Sequence, residues 1–338
     1  MPPDDAATGR RRWFKILGTP ESNGTTEGQD PMPADEPTVD LVAEESVPTA
    51  APDLEARTDR DADTADVVVP DADESDERFT LPRIISIANQ KGGVGKTTTA
   101  VNLGAALAEI GFRVLVIDLD PQGNATTGMG ISHRNVEGSI YDVIMNEAPI
   151  EDCVEPTSVR NLFVVPATID LAGAEIELVP AFSRELKLRR ALAGVRDDYD
   201  FTLIDCPPSL GLLTVNGLAA SDDVVVPIQC EYYALEGLGQ LLRNVALVKT
   251  NLNPNLDVRG IVLTMYDART KLAEQVEREV RAHFGTMVYR TVVPRTVRIS
   301  EAPSFGQPVT VFDASSRGAL AYRELAKEVS RGATRRVG

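Results

Sequence analysis

An apolar segment followed by a glycine-rich loop is the feature that most limits how this chain can fold. Residues Ile84–Ala88 read as a buried strand, and residues 90–98, with the sequence QKGGVGKTT, follow directly. A loop that ends in Gly-Lys-Thr before a helix directs its backbone N–H groups at the β- and γ-phosphates of a nucleotide, and its lysine neutralises them. The strict pattern requires glycine at position 90, whereas this chain has Gln90 followed by a second lysine, Lys91. The sequence therefore predicts a strand, a phosphate loop and a helix, with two uses for positive charge.

Strand-like and helix-like segments alternate along the chain from residue 82 onward. The strand-like segments are short and continuously apolar, which is typical of strands covered on both faces. They are residues 84–88, 114–117, 162–165, 201–204, 224–228, 260–265 and 288–293. The helix-like segments are residues 97–110, 175–193, 212–219, 234–252, 270–284 and 318–331. This order predicts an α/β fold of the P-loop NTPase type, a mostly parallel sheet with helices on both faces, whose ligands bind beyond the carboxyl ends of the strands.

The first 80 residues differ in composition from the rest of the 338-residue chain. They contain 21 Asp and Glu against 7 Lys and Arg, and so carry most of the formal net charge of −17. They are rich in Pro, Asp, Ala and Thr, and they have few large apolar side chains whose burial could offset the entropy of ordering them. We therefore predict a disordered acidic tail over residues 1–80 and one folded domain over residues 81–338.

A short basic and aromatic motif, Arg10–Leu17, interrupts the acidic tail with the sequence RRRWFKIL. Its apolar part is too short for a signal peptide. It is either an incidental patch or a docking motif, for example for a polar or septal scaffold. No part of the sequence approaches the roughly 18 apolar residues of a membrane span, so we predict no integral membrane segment.

The cysteines and histidines carry little functional signal. Cys153, Cys206 and Cys230 are an odd number and lack the spacing of metal ligands. The simplest interpretation is a cytoplasmic chain with reduced thiols, in which Cys206 is a small buried residue. His133 and His283 are isolated in the sequence, and for both a surface or core role is favoured over catalysis.

Two residues near the phosphate loop are candidates for binding Mg²⁺. Thr97 directly follows Lys96 at the start of the predicted helix, where a hydroxyl group ligates Mg²⁺ in phosphate loops. Asp205 follows the apolar strand 201–204. A carboxylate delivered by a strand about 100 residues after a phosphate loop is typical of the Walker B residue that serves the Mg²⁺ shell.

Two further carboxylates, Asp118 and Asp120, follow the strand 114–117. We expect one to face the site while the other anchors the structure. A carboxylate beside the γ-phosphate can orient a water molecule for in-line attack. The alternative is that both cap a turn before Pro121.

Five segments together resemble the ParA/MinD superfamily of ATPases, which have a deviant Walker A loop. They are KGGVGKTT (91–98), DLDPQGN (118–124), IDCPPSLGL (204–212), QCEYYALEG (229–237) and SEAPSF (300–305). In combination they are similar to the ParA (Soj-like) chromosome-partitioning ATPases over about residues 83–331. The resemblance implies ATP and Mg²⁺ as cofactors, ATP hydrolysis, and a homodimer that closes around ATP. It also implies nonspecific binding to double-stranded DNA on the nucleoid and a ParB-type partner that stimulates hydrolysis.

The resemblance also implies roles for single residues. Lys91 matches the lysine that reaches the phosphates bound by the partner, whereas Lys96 serves the chain's own nucleotide. Gly92 matches a glycine packed at the dimer interface, where a side chain would block close approach. Asp120 matches the residue that positions the attacking water, and Asp205 the Walker B carboxylate. The other residues predicted to contact the phosphates are Gly93, Val94, Gly95, Thr97 and Thr98.

The segment that lines the adenine pocket in the family corresponds to Pro294 and the residues just after it. The family usually has Pro-Arg-Asn there, and this chain has Pro294, Arg295 and Thr296. Threonine keeps a hydroxyl group but lacks the paired donor and acceptor of an amide. Pro294 and Thr296 are therefore predicted adenine contacts.

The C-terminal part of the chain is basic although the chain as a whole is acidic. Residues 269–338 contain 13 Lys and Arg against 7 Asp and Glu, which fits binding to a phosphate backbone. Arg269 and Arg298 match arginines implicated in DNA contact in ParA proteins. Further candidates are Lys271, Arg295, Arg317, Arg331, Arg335 and Arg336, and the alternative for all of them is ordinary helix-surface charge.

Two other functional classes compete with a DNA-binding ATPase. A MinD-like ATPase cycles on membranes through a C-terminal amphipathic helix, but Leu325 and Val329 offer little apolar area for an anchor. A nucleotide-regulated adaptor could act mainly through the acidic tail. Retention of Lys96, Thr97, Asp120 and Asp205 favours intact nucleotide chemistry.

Overall fold

The computed structural model describes residues 79–133, 136–231 and 234–334, without the side chain of Glu236. Nearly all of the predicted acidic tail, including Arg10–Leu17, lies outside these residues, as do Arg335 and Arg336. The division into tail and domain, the scaffold motif and these two arginines therefore stay predictions.

An eight-stranded sheet lies at the centre of the described part of the chain, in the order β4-β5-β3-β6-β2-β7-β8-β9. The strands are β1 (Phe79–Thr80), β2 (Arg83–Ile87), β3 (Val114–Asp118), β4 (Glu155–Pro156), β5 (Leu162–Val165), β6 (Phe201–Asp205), β7 (Asp223–Gln229), β8 (Asp257–Tyr266), β9 (Val288–Pro294) and β10 (Ala333–Thr334). All neighbours in the sheet are parallel except β4, which pairs antiparallel with β5. The two short strands β1 and β10 pair with each other in a separate parallel ribbon. The seven predicted strands and the mostly parallel sheet are confirmed.

Helices cover both faces of this sheet. They are α1 (Lys96–Glu109), α2 (Asn124–Gly128), α3 (Ile140–Met145), α4 (Leu171–Glu177), α5 (Lys187–Leu192), α6 (Leu212–Ala220), α7 (Ala234–Asn251), α8 (Lys271–Phe284), α9 (Val297–Glu301), α10 (Val309–Phe312) and α11 (Arg317–Ser330). Successive residues of one strand enter different cores: Val116 belongs to the core that includes residues of α1 and α11, whereas Leu115 belongs to the core that includes residues of α6, α7 and α8. The strands are continuously apolar because both of their faces are buried.

The prediction of a single helix over residues 175–193 is wrong. The structure has two short helices there, α4 and α5, with irregular backbone between them. Pro180 lacks the N–H that a continuing helix needs, and Ser183 has a left-handed backbone with φ of +49°. The chain therefore leaves the helix after Glu177 and starts a new one at Lys187.

The C-terminal helix α11 uses its apolar face within the domain. Tyr322, Leu325 and Val329 are all buried, in the core that also contains α1. The two residues that the membrane-anchor alternative would require thus have a structural role. Among the described residues, no helix is long and apolar enough to span a bilayer.

Candidate nucleotide-binding site

The phosphate loop connects β2, in the middle of the sheet, to the first turn of α1. Gly93 and Gly95 both have left-handed backbones, with φ of +74° and +85°, which favours glycine at these positions. Val94, between them, is buried and points into the protein. The Thr264 hydroxyl of β8 lies 2.8 Å from the Val94 carbonyl oxygen and 3.0 Å from that of Ile228, so it ties the loop to two neighbouring strands.

The entrance to the loop is fixed by Asn89. Its side-chain amide donates a hydrogen bond of 2.7 Å to the carbonyl of Pro227 on β7. Its side-chain oxygen accepts one of 3.0 Å from the backbone N–H of Lys91. Asn89 and Thr264 were not predicted as site residues. The available signal was a polar residue within or directly after an apolar strand, which also occurs at many structural positions.

The two lysines of the loop point in different directions. Lys96 is 6% exposed, and its ammonium group donates a hydrogen bond of 3.0 Å to the carbonyl of Lys91 inside the loop. The Lys91 side chain is 42% exposed, and its ammonium group lies 2.7 Å from a carboxylate oxygen of Glu231. One lysine therefore serves the interior of the loop, and the other lies at the surface of the protein.

The charge of Lys96 is balanced by carboxylates beneath the loop. Burial lowers the pKa of the Lys96 ammonium group, and Asp205 and Asp120 act in the opposite direction. This arrangement keeps a cation beside the loop in a poorly solvated place, where its attraction to a phosphate is stronger than in water.

Asp205 is a fully buried carboxylate at the end of β6, adjacent to Ile87 on β2 and Asp118 on β3. No hydrogen bond of normal geometry reaches either of its oxygens among the described residues, although the Thr97 hydroxyl is close enough to favour the charged form. Burial and the neighbouring Asp118 raise its pKa well above the usual range, and Thr97 and Lys96 lower it. A buried carboxylate without a partner beside a threonine hydroxyl fits a Mg²⁺ site, because Mg²⁺ prefers oxygen ligands and would compensate the buried charge. Thr97 and Asp205 would hold the ion, directly or through water.

Asp118 and Asp120 have different environments. Asp118 ends β3, is fully buried, and accepts hydrogen bonds of 2.7 and 2.6 Å from the backbone N–H and hydroxyl of Thr126. Burial raises its pKa to about 6, and the bonds from Thr126 oppose that shift. Asp120 lies beyond the strand and is 7% exposed, and it accepts a 3.0 Å bond from the Gln122 N–H. Asp118 is therefore held by hydrogen bonds within the core, and Asp120 lies in the turn that follows β3.

Nothing in the described part of the chain requires glycine at position 92. Its φ lies outside the left-handed range, and a Cβ atom placed on it would have nothing within 4 Å. It is exposed, together with Lys91 and Gly93. The contacts of the described residues therefore leave room for a side chain at this position.

Comparison with known proteins agrees with this geometry. An AAA domain family matches residues 82–258. The sporulation initiation inhibitor protein Soj of Bacillus subtilis is 60% identical over 250 residues, which are 74% of this chain and 99% of Soj. The chromosome partitioning protein ParA of Myxococcus xanthus is 54% identical, over 74% of this chain and 88% of that protein. The chain belongs to the ParA/Soj family of chromosome-partitioning ATPases.

Solved structures show the same fold. One, named cobyrinic acid a,c-diamide synthase of Mycobacterium smegmatis and bound to ADP and magnesium, is 41% identical with a TM-score of 0.66. It matches 75% of this chain and 95% of its own. The cell division ATPase MinD of Pyrococcus furiosus is 28% identical with a TM-score of 0.62, over 74% of this chain and 99% of its own. The ADP and magnesium are bound in the M. smegmatis structure.

The predicted adenine segment of this ParA/Soj chain lies at the end of β9. Thr296 caps α9, since its hydroxyl oxygen accepts a 3.3 Å bond from the N–H of Ile299. Pro294 borders a cavity of about 410 Å³ between β8, β9 and α11. None of the residues that line this cavity belongs to the phosphate loop. The cavity alone therefore does not define the nucleotide site.

The two predicted DNA-binding arginines follow neighbouring strands at the carboxyl edge of the sheet. Arg269 lies in the loop after β8, with a side chain that is 89% exposed and 2.7 Å from Asp267. Arg298 lies on α9 after β9, is 56% exposed, and pairs with Glu301 at 3.1 Å and Asp313 at 3.2 Å. Arg269 lowers the pKa of the Asp267 carboxyl group well below its usual range. Both arginines are accessible, and both are paired with carboxylates.

Proposed function

We propose that this protein is an ATP-dependent dimerising ATPase that binds DNA without sequence preference. It drives segregation of a chromosome or plasmid, together with a ParB-type partner that stimulates hydrolysis. The observation that carries this proposal is the divergence of the two loop lysines, with Lys96 inside the loop and Lys91 at the surface. A phosphate loop that serves only its own nucleotide has no use for the second lysine.

ATP and Mg²⁺ are the ligands that the loop residues fit. The backbone of residues 91–97 wraps the phosphates at the N-terminus of α1, where the helix dipole also favours an anion. Lys96 supplies a cation from inside the loop. Thr97 and Asp205 hold the Mg²⁺, which neutralises phosphate charge. This assignment is supported by the unpartnered carboxylate of Asp205.

Hydrolysis is assigned to Asp120 and Lys96. Asp120 orients a water molecule toward the γ-phosphate, because it lies in the turn after β3, whereas Asp118 is bound by Thr126 in the core. Lys96 stabilises the charge that develops on the transferred phosphoryl group. The activity is ATP plus water to ADP plus phosphate.

The dimer is assigned to the exposed part of the loop. Lys91 exchanges Glu231 for the phosphates bound by a second copy. The cost of breaking this exposed ion pair is small, since such pairs contribute at most about 1 kcal/mol. Gly92 allows the two loops to approach, which explains a glycine that the single chain does not require. ATP bridges both copies, so the dimer forms only with ATP.

DNA binding is assigned to Arg269 and Arg298 in that dimer, and it places the protein on the nucleoid. Their carboxylate partners are also exposed or half-buried, so a DNA phosphate can replace them at small cost. Lys271, Arg295 and Arg317 are exposed in the same region of the described chain.

Substitution of both arginines by alanine is expected to weaken DNA binding at every sequence tested. The slope of log affinity against log salt concentration should decrease in magnitude by roughly 3.6, since the dimer loses two contacts in each copy and each phosphate contact contributes about 0.9. The measurement is fluorescence anisotropy of labelled duplexes with ATP and Mg²⁺ over a salt series. Arg278→Ala is the matched control, because Arg278 carries an exposed ion pair on α8 away from the sheet edge. An unchanged slope would contradict the assignment.

The experiment that tests the function as a whole is ATP turnover by the full chain alone, with DNA, with a ParB-type partner, and with both. We expect the highest rate with both, because hydrolysis is proposed to end the DNA-bound state. Undetectable hydrolysis under all four conditions would favour the adaptor alternative. The membrane-cycling alternative has less support, because Leu325 and Val329 are committed to the core.

A further inference from the structure

The turn that carries Asp120 is held at its far end by a histidine. This turn, which we call the Asp120 turn, covers residues 120–123 and is closed by a 2.9 Å hydrogen bond from the Gly123 N–H to the Asp120 carbonyl. Gly123 has a φ of +62°, and the ring of His133 lies directly over it. A Cβ atom at this position would be 2.0 Å from a carbon of that ring. Both the backbone and the ring therefore require glycine here.

His133 connects two elements on either side of the Asp120 turn. Its Nδ1 atom lies 2.9 Å from the carbonyl oxygen of Ala167, in the segment that follows β5. Its Nε2 atom lies 2.7 Å from the hydroxyl of Thr127 on α2. Because a carbonyl oxygen can only accept, Nδ1 donates to Ala167, while Nε2 and the Thr127 hydroxyl form the second hydrogen bond of the ring.

Thr127 links His133 to the Asp120 turn. Its backbone N–H donates to the Gly123 carbonyl at 3.0 Å, and its hydroxyl lies 3.1 Å from the same oxygen. The sequence of contacts is therefore Ala167, His133, Thr127, Gly123 and Asp120, without a gap.

A second chain of contacts also includes Ala167 and leads from it to Asp118. Asp118 binds Thr126, and the Thr126 hydroxyl accepts a 3.0 Å bond from the Ala167 N–H. Ala167 thus uses its N–H to hold Thr126 at the buried strand end, and its carbonyl contacts His133, which reaches the Asp120 turn through Thr127. Thr126 is buried, whereas Thr127 and His133 are exposed, so the His133 chain is not needed to fill the core.

We propose that His133 is a positioning residue, which fixes the Asp120 turn through Thr127 and Ala167 so that Asp120 faces the attacking water. This inference rests on the proposed role of Asp120. Neither His133 nor Thr127 touches the phosphate loop in any hydrogen bond of the described residues. Their loss therefore alters the rate of the chemical step and leaves nucleotide affinity unchanged.

The test uses the full chain and the variants His133→Phe, Thr127→Val, the double variant and Thr127→Ser. Phenylalanine keeps a ring over Gly123 but removes both nitrogens, and valine removes only the hydroxyl. We expect kcat to fall about three- to tenfold in each single variant, because each breaks the same connection between Ala167 and the Asp120 turn, and a net hydrogen bond contributes about this much. The dissociation constant of a fluorescent ATP analogue should stay within about twofold. The double variant should be no worse than either single one, and Thr127→Ser should keep the wild-type rate.

Amide hydrogen exchange of residues 120–127 gives a readout that does not depend on hydrolysis. Exchange in this segment should be faster in His133→Phe and Thr127→Val than in the wild type. If the wild type does not hydrolyse ATP, the proposed function fails, and faster exchange alone would still support the connection to the turn. Unchanged kcat and unchanged exchange in both single variants would overturn the proposal. Rate losses that multiply in the double variant would overturn it as well, because the two residues would then act independently.

Discussion

Lys91→Ala is expected to abolish ATP-dependent dimerisation and DNA binding together. Lys91 lies at the surface in the single chain and is proposed to pair with phosphates across the dimer. Removal of one partner from a buried charge pair costs about 2–5 kcal/mol. The dimer dissociation constant should therefore rise at least about 30-fold. The measurement is sedimentation velocity with ATP and Mg²⁺, with DNA binding measured on the same samples.

Two further variants make this result specific. Gly92→Val should also prevent the dimer, because a side chain there meets nothing within the chain but would face the second copy. Its urea midpoint should stay close to that of the wild type. Lys187→Ala removes a different lysine that pairs with Glu147 away from the loop, and it should dimerise normally. A Lys91→Ala protein that still dimerises with ATP would contradict the role of Lys91.

Asp120→Asn is expected to separate hydrolysis from dimerisation. The amide oxygen can still accept the bond from the Gln122 N–H, so the turn should persist. The charge that orients the water is lost, and kcat should fall by about 10²–10⁴. The ATP-bound dimer should therefore accumulate and stay on DNA. Single-turnover hydrolysis and dimer lifetime, measured on the same protein, check both parts.

The neighbouring Asp118→Asn provides the contrast. Asp118 accepts two bonds from Thr126 in the buried core, so its substitution should lower the urea midpoint. Asp120→Asn should leave that midpoint unchanged. If Asp120→Asn hydrolysed ATP at the wild-type rate, the water-positioning role would have to move to another residue.

The sheet could be predicted from the sequence because its strands are covered on both faces. A segment such as 114–117 has to be apolar at every position, and that pattern differs from an amphipathic helix. The phosphate loop was equally readable, since Gly93 and Gly95 need left-handed backbones that leave little choice of residue. The carboxylates Asp120 and Asp205 could be placed because each directly follows such a strand or lies within two residues of it.

Contacts between distant segments could not be predicted in the same way. Thr264 binds the phosphate loop at Val94, which lies 170 positions away in the sequence, and nothing in the local sequence of Thr264 indicates this contact. The isolated His133 was expected to be a surface or core residue. Only the fold brings its ring onto Gly123 and onto Ala167, and Ala167 lies 34 residues further along the chain. The break between α4 and α5 was missed because apolar periodicity on both sides outweighed Pro180.

Retention of DNA by sedimentation, with ATP, with ADP and without nucleotide, tests the proposed switch most directly. The full chain is mixed with duplex DNA and Mg²⁺ at moderate salt, and the protein that pellets with the DNA is quantified. Binding should be strong with ATP and close to background in the other two conditions, because only ATP holds two copies together through Lys91. Equal binding in all three conditions would contradict the switch.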